Sequence, residues 1–351
     1  MNVIEALSLP TIETDLQRLE PLLAESVVTG DGFLDEVTTH LIAAGGKRLR
    51  PVLTLLAATA GGRVRASEAD LLGAVSVELV HLASLYHDDV MDEATIRRSV
   101  DSVNSRFGNL VAIVAGDYLL ARSAEIAAGL GTEIAGLLAS TLGELCQGQI
   151  AEVRAAFQVN RTRDQYRAAI EGKTAALMAT SCRIGALTGD LPRSQVDALT
   201  TFGRCFGMIF QVRDDVLDVI GSEADLGKPP GQDLAEGVYT LPVLLALEDG
   251  EAAAELRPLL GRPLGLPERE KARSIVASSS GIPAAILAGR RYADKAVEAA
   301  EACPEPLLTG VLVRLARSLL DGLPACRRGA AASRPLRPGA TRGRTRRSGR
   351  R

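Results

Sequence analysis

The chain has 351 residues, 46% hydrophobic and only 3% aromatic, with no tryptophan and a formal net charge of −3. That length suits one large core or two ordinary domains, and no uninterrupted apolar run reaches the roughly 20 residues of a membrane helix, since even "LLGAVSVELVHLASLY" holds Glu78 and His81. Cys146, Cys182, Cys205, Cys303 and Cys326 are scattered, odd in number and free of CxxC or Cys/His spacing, which excludes a disulfide framework and a structural zinc site and suits a reducing compartment.

The N-terminal "MNVIEALSLPTIETDLQRLE" carries early acids and no basic segment before an apolar run, so the expectation is no secretory signal and a cytoplasmic location. Next comes "GGKRLRP", where Gly45 and Gly46 would let backbone approach an anion and Lys47 and Arg50 would share a face if a helix begins there. Between Pro51 and Pro192 there is no proline, and Ala, Leu, Glu, Gln and Arg abound. Apolar residues recur at helical spacing in "DLLGAVSVELVHLASLY", "LVAIVAGDYLLARSAEIAAGL" and "EIAGLLASTLGELCQGQI", with no hairpin signal. Gly61, Gly62, Gly189 and Gly221 read as helix ends and turns. The fold class expected is all-α, as a single domain over residues 1–326.

Two acidic clusters interrupt these helices. In "HDDVMDEATIRR" Asp88 and Asp92 lie one above the other on a helix, with Asp89 about 100° round and Arg97 and Arg98 just beyond. "FQVRDDVLD" repeats the pattern at Asp214, Asp215 and Asp218. Aspartate is a poor helix-interior residue, so two such clusters in apolar surroundings point to chemistry outweighing propensity. Half-buried carboxylates need cationic partners, and Mg2+ is bound through one or two carboxylates together with substrate phosphates. After the second cluster, "SEADLGKPPGQDLAEGVYTLP" is too rich in Gly and Pro for a helix and reads as a mobile loop near the site. Residues 327–351 hold ten arginines and no acid, so this tail should be disordered, and without it the chain carries −13. Such a tail could touch anionic lipid or nucleic acid. A GC-rich coding end or a shifted frame explains it better, and no nucleic-acid partner is expected.

Taken in order, "GGKRLRP", "ELVHLASLYHDDVMDEATIRR", "KTAAL" from Lys173, and "FQVRDDVLD" followed by "GKPPGQDLAEG" resemble the trans-type polyprenyl diphosphate synthases, over nearly the whole chain to about residue 325. The resemblance implies a helical bundle around a deep central cavity, the isoprenoid synthase type, usually homodimeric, with the two clusters facing each other across its mouth. It implies condensation of isopentenyl diphosphate with an allylic diphosphate, which ionises to a carbocation. Losing a diphosphate demands charge neutralisation. About three Mg2+ ions are implied, held by Asp88, Asp92 and Asp214, with Asp89, Asp215 and Asp218 orienting ligands or binding through water. Arg97, Lys173, Thr174, Gln211 and Lys228 match positions around the allylic diphosphate; Lys47, Arg50, His81 and Arg98 match those around isopentenyl diphosphate. His87 and His40 carry no such role. Val238 stands where many relatives have lysine, and phosphate contact there is not expected.

A terpene cyclase shares the helical fold and the first aspartate-rich motif but has no need of "GGKRLRP", and its second metal site typically follows an Asn/Ser/Glu pattern. A non-catalytic subunit would have lost aspartates or the Lys47/Arg50 set. Product length in the resembled family depends on what blocks the cavity below the first aspartates. Here Ser84, Ala83 and Val80 precede Asp88, and down to Val77, about 16 Å of helix, none is aromatic. The expectation is therefore a long-chain all-trans product of the kind attached to respiratory quinones and delivered to the membrane, with geranylgeranyl diphosphate as the alternative.

Overall fold

The computed structural model describes residues 10–222, 229–321 and 323. The expected Arg-rich tail at 327–351 and Lys228 lie outside the described residues. Five helices form the first half: α1 (Pro10–Glu25), α2 (Gly32–Ala43), α3 (Leu49–Ala58), α4 (Glu68–Met91) and the short α5 (Val103–Phe107). Then follow α6 (Asn109–Leu130), α7 (Thr132–Ala155), α8 (Arg163–Ile170), a π turn (Glu171–Ala175), α9 (Ala176–Thr188) and α10 (Arg193–Ile220). The C-terminal part adds α11 (Gln232–Ala235), α12 (Leu241–Ala246), α13 (Gly250–Leu256), α14 (Leu266–Ser278), α15 (Gly281–Ala300) and α16 (Pro306–Asp321).

The architecture is all-α, and α4 is its central post. It begins at a capping box in which Ser67 Oγ accepts the Asp70 N–H and Asp70 accepts the Ser67 N–H at 2.7 Å, satisfying donors that a helix start leaves orphaned. Its apolar residues run right round the helix because α1, α3, α6 and α9 all pack on it, so little amphipathic pattern is left. Length and composition alone would also suit a membrane span, but most of it is buried inside the bundle. On the other side α10 packs against α9 and α15.

Two expectations change. Ile96–Arg97 and Val100–Asp101 form a two-stranded antiparallel hairpin, which the sequence did not signal: the turn is made by Arg98 and Ser99, both at positive φ, in place of the usual glycine or asparagine. The loop expected to lack helix contains the single turn α11, entered through Gly231 at φ 75°.

Candidate active site

The first acidic cluster closes α4. Asp88 is half-buried and Asp92 caps the helix, its N–H donating to the Asp88 carbonyl at 2.8 Å, so the two carboxylates stand one turn apart as expected. Burial raises the pKa of both; the charge of Lys173 opposes this, while Asp92 adds to the rise at Asp88. Asp89 faces elsewhere. Fully buried, it accepts from Arg97 Nε at 2.7 Å and Nη2 at 2.5 Å, and its backbone carbonyl accepts from Asn104 Nδ2 at 3.0 Å. The hairpin therefore presents Arg97 on a fixed carboxylate, and Asp89 acts on the site through that arginine.

About four turns before the cap, the cationic set is organised by a residue to which the sequence reading gave no role. Glu78 is 1% exposed; its Oε1 accepts from Arg48 Nη1 at 3.1 Å and lies 3.9 Å from Arg98 Nη2, while Oε2 has no hydrogen-bond partner among the described residues. Burial raises its pKa, and Arg48, Arg50 and Arg98 pull it back. Arg48, in the left-handed conformation at φ 43°, starts α3 and also grips Glu20 through Nε at 2.7 Å. Arg98 Nη1 donates to the Leu41 carbonyl at 3.0 Å and to that of Gly45. A Cβ on Gly46 would lie 2.9 Å from the Arg98 guanidinium, so Gly46 makes room for Arg98, whereas a Cβ on Gly45 would meet nothing within 4 Å.

Because α3 begins only at Leu49, Lys47 is not on a helical face with Arg50; it is exposed in the preceding loop. Arg50 reaches the cavity, its pKa lowered to about 10 by burial, which leaves it cationic at neutral pH. His81 is held neutral: burial, then Arg50 and the neighbouring arginines, push its pKa well below the usual value. His87 packs flat against Gly116, where a Cβ would come within 2.3 Å of Nε2, and Nε2 lies 3.2 Å from the Ile113 carbonyl.

The second cluster sits on α10. Asp215 is buried, accepting from Tyr166 Oη at 2.5 Å and from Gln211 Nε2 at 2.9 Å, and burial lifts its pKa to about 7. Thr174 Oγ1 donates to Gln211 Oε1 at 3.0 Å, so Thr174 and Gln211 form a relay that aims Asp215. Asp214 is half-buried and more open, with Arg213 Nη1 3.3 Å away. Asp218 accepts the Asp233 N–H at 3.4 Å, and its carbonyl accepts the Gly231 N–H at 2.8 Å, tying the loop onto the cluster.

Between the clusters stands Lys173, on the π turn. Burial lowers its pKa, but its pairing with Glu152 and the charges of Asp88 and Asp92 outweigh this and leave it raised. Glu152, also absent from the sequence reading, adds its charge to the rise in pKa at both Asp92 and Asp215. The π turn fits because Gly148 of α7 and Gly172 touch backbone to backbone: a Cβ on Gly148 would lie 2.4 Å from the Lys173 nitrogen.

Below this mouth is a cavity of about 530 Å3 whose lining includes Arg50, His81, Asp88, Lys173 and Thr174 at the polar end and Val80, Ser84, Leu120, Leu142 and Leu145 along the apolar wall. Among the described residues no phenylalanine, tyrosine or tryptophan lines it. Ala83, expected on this wall, is instead fully buried in the main core. At 100° per residue it lies about 140° round the axis from Asp88, whereas Ser84 lies about 40° away. At Val80, Leu120 and Leu145 the wall meets a separate apolar cluster of Val77, Ala127, Ile134, Leu138, Leu177 and Ile184.

Residues 31–278 match the family model for polyprenyl synthetase. The chain belongs to the polyprenyl synthetase family. This synthase is 37% identical to nonaprenyl diphosphate synthase of Mycobacterium tuberculosis over 83% of its own length and 88% of that protein. It is 39% identical to heptaprenyl diphosphate synthase component 2 of Geobacillus stearothermophilus, over 89% and 94%. Geranylgeranyl pyrophosphate synthase of Corynebacterium glutamicum, solved with calcium and isoprenyl diphosphate, superposes with a TM-score of 0.79 at 38% identity, over 88% of this chain and 95% of that one. The synthase is a prenyltransferase with the isoprenoid synthase fold.

The residues present fit divalent metal. Among the described residues no three His, Cys, Asp or Glu side chains are gathered to hold an ion unaided. Burial disfavours the charge on Asp88 and Asp92, and a hard cation shared with diphosphate oxygens would supply the missing counter-charge.

Proposed function

We propose that the synthase joins isopentenyl diphosphate to an allylic diphosphate with Mg2+ and repeats the addition to a long all-trans chain of the kind attached to quinones. The observation that carries this reading is the cavity itself, polar and cationic at the mouth and apolar without aromatic rings below. Asp88, Asp92 and Asp214 would hold about three Mg2+ ions, which as Lewis acids would neutralise the departing diphosphate. Around it, Lys173 and the Asp89-anchored Arg97 bind the allylic diphosphate, with Thr174 and Gln211 keeping Asp215 in place. Arg50 and Arg98, steadied by Glu78, hold the second diphosphate, and neutral His81 offers a hydrogen bond there without adding charge. Exposed Lys47 is free to swing onto that diphosphate.

The apolar cluster around Leu138 and Leu177 favours a second reading, geranylgeranyl diphosphate synthesis, because it stands where a lengthening tail would have to pass. The synthase acts in the cytoplasm as a homodimer and hands its product to the membrane. Incubation with Mg2+, isopentenyl diphosphate and farnesyl diphosphate, with chromatography of the dephosphorylated products, tests the proposal. Products of seven or more isoprene units are expected, none in EDTA; a ladder stopping at four units would select the second reading, and no elongation at all would refute both.

A further inference from the structure

A second cavity, of about 770 Å3, shares no lining residue with the first; the segment 159–164 and helices α8, α10, α12 and α15 enclose it. Six cations, Arg161, Arg163, Arg167, Arg257, Arg291 and Lys295, face it against two acids, Asp164 and Glu248. Arg163 pairs with Glu248 at 3.1 Å and Arg167 with Asp164 at 3.4 Å, while Arg257, Arg291 and Lys295 make no ion pair among the described residues. A surplus of positive charge around a concave surface marks an anion site only if something in it is built to receive one.

Arg161 is that group. It is 6% exposed and lines the cavity, yet it spends only Nη1 on the protein, donating to the Tyr239 carbonyl at 3.2 Å. Nε and Nη2 have no partner among the described residues. These two atoms form the guanidinium edge that grips two oxygens of a phosphate or carboxylate at once, and leaving buried charged donors unpaired is costly. Met208, Val212, Leu241, Leu244 and Ala288 supply an apolar part of the wall, beside the polar Asn160 and Thr162. Volume and lining therefore suit an amphiphile with an anionic head.

The cavity also has a line to the reacting centre. The Arg161 guanidinium sits 5.5 Å from the centroid of the Tyr166 ring, and Tyr166 Oη donates to Asp215 at 2.5 Å. An anion that draws Arg161 toward itself moves the ring that orients Asp215. We propose that this cavity binds a prenyl diphosphate as a regulatory ligand, its diphosphate on the free edge of Arg161 and its chain over Met208, Leu241 and Leu244, and that occupancy reaches the active site through Tyr166. The ligand class follows from the cavity, so its binding is read without turnover and stands apart from the catalytic proposal.

The test uses the full chain, Mg2+ and farnesyl thiodiphosphate, which does not ionise readily, by calorimetry. Wild type should show a site that Arg291→Glu/Lys295→Glu weakens at least about tenfold, the catalytic site remaining. That pair is exposed, so the variant should fold, whereas removing buried Arg161 risks unfolding. Inorganic diphosphate should bind the same site at least about tenfold more weakly, for want of the apolar tail. In assays the thiodiphosphate should inhibit wild type with a component that excess allylic substrate does not relieve, and the variant should lose it. Unchanged binding in the variant would remove the site, equal affinity for inorganic diphosphate would remove the amphiphile, and purely competitive inhibition in both proteins would remove the regulatory link.

Discussion

Glu78 shows how much of this site rests on a residue that touches no reacting atom. It lies between Arg48 and Arg98 and within electrostatic reach of Arg50, so its charge lets guanidiniums crowd together before any diphosphate arrives. Glutamine there keeps the shape and one acceptor but drops the charge. We expect Glu78→Gln to raise KM for isopentenyl diphosphate about tenfold with little change in KM for the allylic partner, because mutual repulsion then splays the arginines. Steady-state kinetics with each substrate varied in turn decides this, and equal rises in both constants would show a general loss of structure instead. Asp88 is the opposite case, a residue kept at a cost to the fold. Burial disfavours its charged form, so Asp88→Asn should lower turnover by about 100-fold or more yet melt at or above the wild-type temperature in EDTA. A lower melting temperature would mean that the carboxylate is satisfied by protein partners alone.

At the level of elements, helix α4 carries both Asp88 and part of the apolar cavity wall, so on the proposed function its rotation would set the product. Ser84 lines the cavity and Ala83 does not. Phenylalanine at 84 should fill the upper tunnel and shift the main product several isoprene units shorter. Phenylalanine at 83 should instead overpack the core, lowering stability by about 1–3 kcal/mol with the product pattern retained. Product chromatography beside thermal melting separates the two, and a shortened product from Ala83→Phe alone would show that α4 turns its other side to the tail. The π turn is the other decisive element: by inserting a residue between α8 and α9 it carries Lys173 and Thr174 toward the mouth, and the Gly148–Gly172 contact leaves no room for a side chain at either position.

For the molecule as a whole, α6 and α7 present Leu110, Ile113, Val114, Ile150 and Val153 to solvent. Ile113 and Ile150 also line the catalytic cavity, so a partner docked on this face would border it. The proposed homodimer would bury this exposed apolar face if it formed through these helices. Leu110→Glu/Val114→Glu should give monomers by sedimentation and a loss of activity out of proportion to any loss of helicity. A variant that remains dimeric would move the interface elsewhere, and a wild-type monomer would fit the relative that is one component of a larger synthase.

Much of this was legible in the order of residues, for a physical reason: carboxylates and cations meant to share one ligand recur at fixed spacing on helices, and helical periodicity is a local property. The all-α class, the two aspartate clusters and the cations Arg50, Arg97, Arg98 and Lys173 follow from such spacing and its resemblance to a family. What pairs across the chain did not. Glu78 meeting Arg48, Tyr166 meeting Asp215 and Glu152 meeting Lys173 join residues 30, 49 and 21 positions apart, and no local pattern marks them. The Arg98–Ser99 turn was invisible because it places ordinary residues at positive φ, held by the hydrogen bonds Arg98 makes to α2 and the Gly45 carbonyl. Which of two adjacent residues, Ala83 or Ser84, lines the cavity, and that a second basic cavity lies against Tyr166, were decided only by packing, since both depend on how helices distant in sequence rotate against one another.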